Sequence, residues 1–388
     1  MHDPNESQAH SGPVISIATD PPEPALREET ALCLSGGGYR AMLFHVGAIW
    51  RIHQLGVLSR ISRFSSVSGG SIIAGLLGLR WNSLEFGADR ESSFRRQIVE
   101  PIRELARHSI DVHAAVAILN PLKSIPESIA DSYRRYLFGD STLQDLPDEP
   151  RFVLNATNVQ SKVLWRFSKP YMRDYRVGEI KQPKTSLAVA VGASSAFPPF
   201  LSPVILHFRE EDFVPGSGLD LQKPEFMKRV VLTDGGVYDN LGLETAWKQY
   251  RTILVSDGGG LAADDATPHE DWPRHAYRTL EIIDNQVRSL RKRQVVDSFC
   301  KDERKGTYWG IRTDIRNYQV PSLDCPTVSA LSLANLGTRL ASVDERTQER
   351  LINWGYAVCD AGMRAHCPQL LSGLEGRVGE FPYPGGIV

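Results

Sequence analysis

Three short segments, far apart in the chain, carry residue types suited to nucleophilic attack on an activated carbonyl. They are Ser35-Gly36-Gly37-Gly38-Tyr39-Arg40, Ser66-Val67-Ser68-Gly69-Gly70-Ser71 and Asp234-Gly235-Gly236. A serine hydroxyl is a poor nucleophile at its free pKa, so it needs an exposed turn, a neighbouring base and donors for the developing oxyanion. The second segment nearly matches the G-x-S-x-G elbow, with Ser66 in place of the first glycine and Gly69 and Gly70 following, which makes Ser68 the candidate nucleophile. Moving the pattern along to Ser71 puts bulky Ile73 at the final small position, where the helix packs closely.

The glycine triplet has a rival reading, because Gly36-x-Gly38-x-x-Ala41 satisfies a dinucleotide fingerprint. That fingerprint wants an acidic residue about 20 positions further on. From Ala31 through Leu84 there is neither Asp nor Glu. The better use of Gly36, Gly37 and Gly38 is to offer backbone N–H groups at a helix start as an oxyanion hole. Asp234 follows the apolar run Val230-Val231-Leu232, so its carboxylate is expected at a strand's C-terminal edge, where α/β sheets keep their sites. Asp257, also before glycines, is the competing carboxylate, and Asp239 reads as a turn or supporting residue. None of the histidines completes a triad: His45 and His53 fall inside the first helix, His108 and His113 in a helical stretch, and His207 in a polar one. A desolvated aspartate can be basic enough to activate a serine directly. The constellation is therefore a Ser68–Asp234 dyad.

These residues must be positioned by strands ending in glycine turns. Thr30–Ser35 reads as a buried strand, Tyr39–Leu55 as a helix with Gly56 as its cap, Arg63–Val67 as a second strand, and the residues through Leu77 as a second helix. Two successive strand, turn and helix units imply a parallel sheet with helical crossovers. Residues 85–150 then turn charged and helix-forming, with apolar positions Ile98, Ile102 and Leu105, and later Val112, Ala115, Val116 and Leu119, at helical spacing. This is a helical insertion or lid. Strands follow at Arg151–Thr157, Val163–Phe167, Val230–Leu232 and Thr252–Ser256, then a long helix from Pro273 to about Cys300, a strand at Tyr308–Arg312 and a last amphipathic helix from Val343 to about Arg364. The expected division is a disordered arm over 1–28, a catalytic domain over 29–260, and a mainly helical extension packed on it over 261–388.

Composition narrows the class. Hydrophobic residues at 41% and charged residues at 23% are those of a globular protein, and a net charge of -2 gives no reason to expect a nucleic acid partner. Five cysteines without a CxxC pair suit neither a disulfide framework nor a zinc site, so no metal and no cofactor is expected. Neither a signal-like leader nor a run of about 18 apolar residues is present. The expectation is a cytoplasmic protein, or one peripheral at the inner membrane surface.

In this order the motifs resemble the patatin-like phospholipase family over roughly Thr30 to Gly260. Ala193-Ser194-Ser195-Ala196-Phe197-Pro198-Pro199-Phe200 is similar to a proline-bearing segment the family carries before its aspartate. The resemblance implies a three-layer α/β/α fold with a mainly parallel sheet and a metal-independent lipid acyl hydrolase. Ser68 and Asp234 are its dyad, and phospholipid or another lipid ester its substrate. Arg40 falls where the family has a basic residue after its glycines, with loop orientation or a substrate phosphate as its roles. Ser66 and Ala41 depart from family glycines, and both replacements are small. Two other outcomes share the resemblance: a catalytically silent binding protein, and an effector of bacterial antiviral defence gated by a small regulatory ligand. Oligomeric state stays open.

Overall fold

The computed structural model describes residues 26–110, 125–199, 201–260, 264–371, 373 and 377–388. Most of the expected arm, the apolar positions Val112 to Leu119 of the insertion, His113 and Phe200 lie outside the described residues.

Ten strands form one mixed sheet. Its parallel half runs in the order β10 (Lys305–Gly310), β9 (Tyr250–Asp257), β1 (Arg27–Leu34), β2 (Ile61–Val67) and β3 (Arg151–Asn158). An antiparallel wing continues through β4 (Val163–Phe167), β5 (Tyr171–Asp174) and β6 (Gly178–Lys181). β7 (Val204–His207) pairs with β8 (Arg229–Asp234), and β8 pairs antiparallel with β3. β5, β6 and β7 had no clear signal in the sequence, being only four residues each.

β1 shows how alternation sets the layers. Leu32 and Leu34 point into the large core shared with α1 (Gly38–Gln54), while Ala31 and Cys33 join a smaller cluster with Ile253, Val255 and Val295 on the opposite face. Period-2 burial on both faces requires cover on both, and helices supply it. α1 is buried along almost its whole length between the sheet and α8 (Glu345–His366). Arg51 on α1 donates to Asp360 Oδ1 at 2.7 Å, and Arg364 on α8 itself donates to Asp360 Oδ2, so one carboxylate ties the two helices.

α2 (Gly69–Arg80) packs on α1. The described helices of the 85–150 stretch include α3 (Glu100–Ala106) and α4 (Ile125–Tyr133), and Ile98, Ile102, Leu105, Ile129 and Tyr133 are wholly buried in the large core. α5 (Leu187–Ser194) follows the antiparallel wing, and α6 (Trp272–Cys300), α7 (Thr327–Ala334) and α8 complete the chain with β10. The expected boundary at residue 260 falls between β9 and β10, which pair in parallel register from Thr252↔Lys305 to Asp257↔Gly310. Residues after 260 therefore complete the main sheet as well as its helical layers.

Candidate active site

Ser68 and Asp234 meet because two strands run head to head along one edge of β3. β2 pairs with that edge as far as Val67↔Asn155, and β8 pairs antiparallel from Ala156↔Asp234 onward. The other edge of β3 is occupied by β4 over Leu154 to Asn158, so β8 can only lie in line with β2. Both chains leave the sheet at the same point. The expectation of an aspartate at the C-terminal edge of the parallel set is thus refined: Asp234 ends an antiparallel strand that approaches the nucleophile from above. Gly235 passes so close to the Asn155 carbonyl that any Cβ there would collide with it.

Ser68 sits between β2 and α2 with φ 50° and ψ -120°. A non-glycine residue on the positive-φ side stores strain of about 1–3 kcal/mol, which the surrounding structure must hold in place. The hold is visible: the Ser68 amide donates to Ser194 Oγ at 3.0 Å, and Ser194 Oγ donates to the Asn155 carbonyl at 2.7 Å. Ser71 is bonded to both Ser194, at 2.8 Å, and Ser66, at 2.9 Å. Ser71 is wholly buried in this network, whereas Ser68 is 8% exposed and lines a cavity of about 380 Å³ together with Asp234. Ser68 thus faces the cavity and Ser71 does not, and Ser66 has a hydroxyl bond inside the turn that glycine lacks.

Gly37 and Gly38 adopt φ 142° and 62°, conformations that favour glycine, and open α1. Their amides and that of Gly69 have no hydrogen-bond acceptor among the described residues. The Gly36 amide does: it donates to the Asn240 carbonyl at 3.0 Å. The expectation that Gly36 shares in the oxyanion hole is corrected on that ground, since a committed N–H cannot turn to a substrate oxygen. Gly37, Gly38 and Gly69 are the uncommitted donors.

Asp234 is 2% exposed. Its Oδ1 accepts from the Gly236 amide at 2.6 Å, while its Oδ2 is buried, and among the described residues the one other group that approaches the carboxylate as a donor is the Ser68 hydroxyl. Burial pushes its pKa up to about 7; the Gly236 amide and then the Ser68 hydroxyl oppose the rise, and the charge of Asp284 adds to it. Asp257 is differently placed. Its Oδ1 accepts from the Gly259 amide at 2.9 Å and its Oδ2 from the Tyr308 hydroxyl at 2.7 Å, so both oxygens are engaged away from Ser68. Asp239 is buried and accepts the Leu241 and Glu244 amides, at 3.3 and 2.6 Å, closing a turn.

No described histidine lines the cavity. His45 donates from Nε2 to the Ser35 carbonyl at 2.9 Å, which leaves Nδ1 to accept from Ser256 Oγ at 2.8 Å. Burial takes its pKa down to about 4, so it stays neutral and braces the strand before the glycine triplet.

Arg40 is buried, and its guanidinium serves the protein's own oxygens. Nε donates to the Gly258 carbonyl at 3.1 Å, one terminal nitrogen to Thr338 Oγ1 at 2.9 Å, and the other to the Leu336 carbonyl. These contacts tie the start of α1 to the loop after β9 and to residues 336–338. The segment it grips also bonds the oxyanion loop directly, through the Tyr39 amide and the Arg339 carbonyl at 3.0 Å.

Several cavity residues carry no motif signal. Asn240 stands on the wall and holds Gly36. Tyr277, Glu281, Asp284 and Arg288 project from α6 at spacings of three and four, and residues 335–340 close the remaining side. Ser194 belongs to the proline-bearing segment, and its role depends on contact with an elbow 126 residues earlier. Among the described residues no cluster of His, Cys, Asp or Glu is arranged to hold a metal ion, and no helix is long and apolar enough to cross a membrane.

A family model described as patatin-like phospholipase matches residues 32–247. Curated proteins give no match. Among solved structures, human GIVD cytosolic phospholipase A2 in complex with methyl gamma-linolenyl fluorophosphonate inhibitor is similar at 14% identity and a TM-score of 0.51, over 89% of this chain and 59% of that one. The same human protein without inhibitor gives 13% and 0.51, over 90% and 63%. VipD from Legionella pneumophila gives 16% and 0.35, over 89% and 67%. The chain thus spans about three-fifths of the length of the human structures. At such identities the likeness is one of fold.

Proposed function

The chain belongs to the patatin-like phospholipase family, and from that premise we propose that it is a lipid acyl hydrolase working through a Ser68 acyl-enzyme with Asp234 as base. The observation that carries this reading is the buried Asp234 carboxylate approached by the hydroxyl of a strained serine, in the same cavity as the uncommitted amides of Gly37 and Gly38. With its pKa raised by burial to about 7, Asp234 can take up and give back a proton near neutral pH. Ser68 Oγ attacks the ester carbonyl carbon as its proton passes to Oδ2. The Gly37, Gly38 and Gly69 amides receive the oxyanion, a contribution of about 3–4 kcal/mol per donor in related hydrolases. The proton then leaves with the alcohol, and water repeats the sequence to release the acid.

The substrate side of the proposal is a lipid surface. α6 lines the cavity with one face and turns Trp272, Leu280, Ile283 and Leu290 outward, each more than half exposed. These positions fall on one stripe at spacings of three, seven and eight, on the side of the helix turned away from the cavity-lining face. An exposed apolar stripe on the helix that walls a lipid-ester site suits docking on the layer that supplies the ester. In this reading the protein works peripherally at a membrane.

Fatty acid release from phosphatidylglycerol vesicles, followed by mass spectrometry, tests the core of the proposal. Ser68→Ala is expected to lose at least about 10⁴-fold in rate while melting normally. A fluorophosphonate, the inhibitor class bound in the human structure, is expected to label the parent chain and spare this variant. Hydrolysis retained by folded Ser68→Ala overturns the assignment.

A further inference from the structure

At the edge of the sheet opposite Ser68, the first residues of β1, β2, β3 and β9 border a second cleft, of about 580 Å³. It is lined by five arginines, Arg27, Arg60, Arg63, Arg151 and Arg173, against two exposed carboxylates, Glu29 and Glu149. Arg63 and Arg151 are direct partners in the register of β2 and β3. Facing residues on neighbouring strands carry their side chains on one side, about 5 Å apart, so two like charges stand together. Among the described residues neither arginine has a salt bridge.

The hydrogen bonding at this cleft is also incomplete. Arg63 is 7% exposed, gives one terminal nitrogen to the Thr245 carbonyl at 2.9 Å and packs over the Tyr250 ring at 5.2 Å. Its Nε is nonetheless buried without an acceptor, and so is that of Arg151. Gln249 Oε1, lining the same cleft, is buried without a donor. Buried polar groups are ordinarily satisfied, so three orphans on residues that line one cleft leave polar capacity there that the protein itself does not use. Two guanidinium edges side by side match the oxygens of a phosphate, which they can bind in forked pairs, and Gln249 Oε1 matches a hydroxyl or amino donor beside it. We propose that this cleft is a binding site for a small phosphate-bearing anion, separate from the Ser68 cavity. The site draws on strands either side of β1 and β2, since Tyr250 of β9 packs against Arg63 while β3 supplies Arg151.

Calorimetric titration of the full chain with inorganic pyrophosphate at low ionic strength tests this without reference to hydrolysis. Saturable binding of one anion per chain is expected, weakened roughly tenfold in Arg151→Met and in the exposed Arg60→Met. Arg60 lies at the rim, so its variant keeps the test decisive should Arg151→Met fail to fold. A parallel sedimentation with phosphatidylglycerol vesicles separates a lipid headgroup from a free anion. Displacement of the protein from vesicles by pyrophosphate assigns the headgroup, and pyrophosphate binding without sedimentation assigns the free anion. Absence of saturable pyrophosphate binding, or equal affinity in folded variants, overturns the proposal.

Discussion

Asp234→Asn should separate stability from activity in a way that depends on pH. In the folded chain burial raises the Asp234 pKa from 3.8 to about 7. An unfolded chain ionises this group near 3.8, so between the two values the folded state holds a proton that the unfolded state has released. Stability contributed by the group is therefore intact below about pH 4, falls as pH rises, and is fully lost above about 7. At 1.36 kcal/mol per pH unit the difference is of order 4 kcal/mol. Asparagine keeps an Oδ1 for the Gly236 amide and carries no charge, so it escapes this penalty. The gain in unfolding free energy of Asp234→Asn over the parent should thus grow by up to about 4 kcal/mol between pH 4 and 8. Other buried carboxylates, Asp239 and Asp284 among them, are common to both proteins and largely cancel in the difference. Urea unfolding followed by tryptophan fluorescence at several pH values measures it. The variant should be inactive throughout, and parent kcat/KM should climb with pH through an apparent pKa near 7. A stability difference that does not change with pH would refute the argument that Asp234 is desolvated.

Two further substitutions probe the supports around the dyad. Arg40→Lys keeps the charge but can serve only part of the set formed by Gly258, Leu336 and Thr338, so kcat should fall about ten- to a hundredfold with KM little changed. Stopped assays on a soluble monomeric ester read this split. Leu280→Glu combined with Ile283→Glu places charge on the exposed stripe of α6, and is expected to reduce hydrolysis of vesicle lipid at least about tenfold while sparing the monomeric ester. Equal loss on both substrates would show that the stripe supports the fold of the site and has no role in docking.

The local parts of the site were legible because they are written in consecutive residues. Ser68 with its glycines, the triplet before α1 and the Asp-Gly-Gly turn each need a particular backbone at one place, and residue type records that need. What was hidden depends on pairing. Nothing near Asp234 says that β8 runs antiparallel to β3, nor that the Gly36 amide is spent on Asn240. Ser194 was visible as a small residue in a distinctive segment, yet its task exists only where α5 ends beside the elbow. The place of β10 in the sheet was hidden for a related reason: it is six residues of mixed polarity, and only its register with β9 makes it part of the sheet.

A base of this kind also requires something to keep water away, and here residues distant from every motif do so. A carboxylate in water is ionised well below neutral pH and has little appetite for a serine proton. In the proposed mechanism Asp234 acquires that appetite through burial, in a cavity whose other walls are α6 and residues 335–340. Asp284 on α6 adds negative charge to the effect, while Arg288 on the same helix donates to the Gly260 carbonyl at 2.5 Å and holds the wall to the glycine loop after β9. In the proposed mechanism the segment beyond residue 260 therefore bears on the chemistry beside the glycine turns: through Asp284 it adds to the proton affinity of Asp234, where they position Ser68.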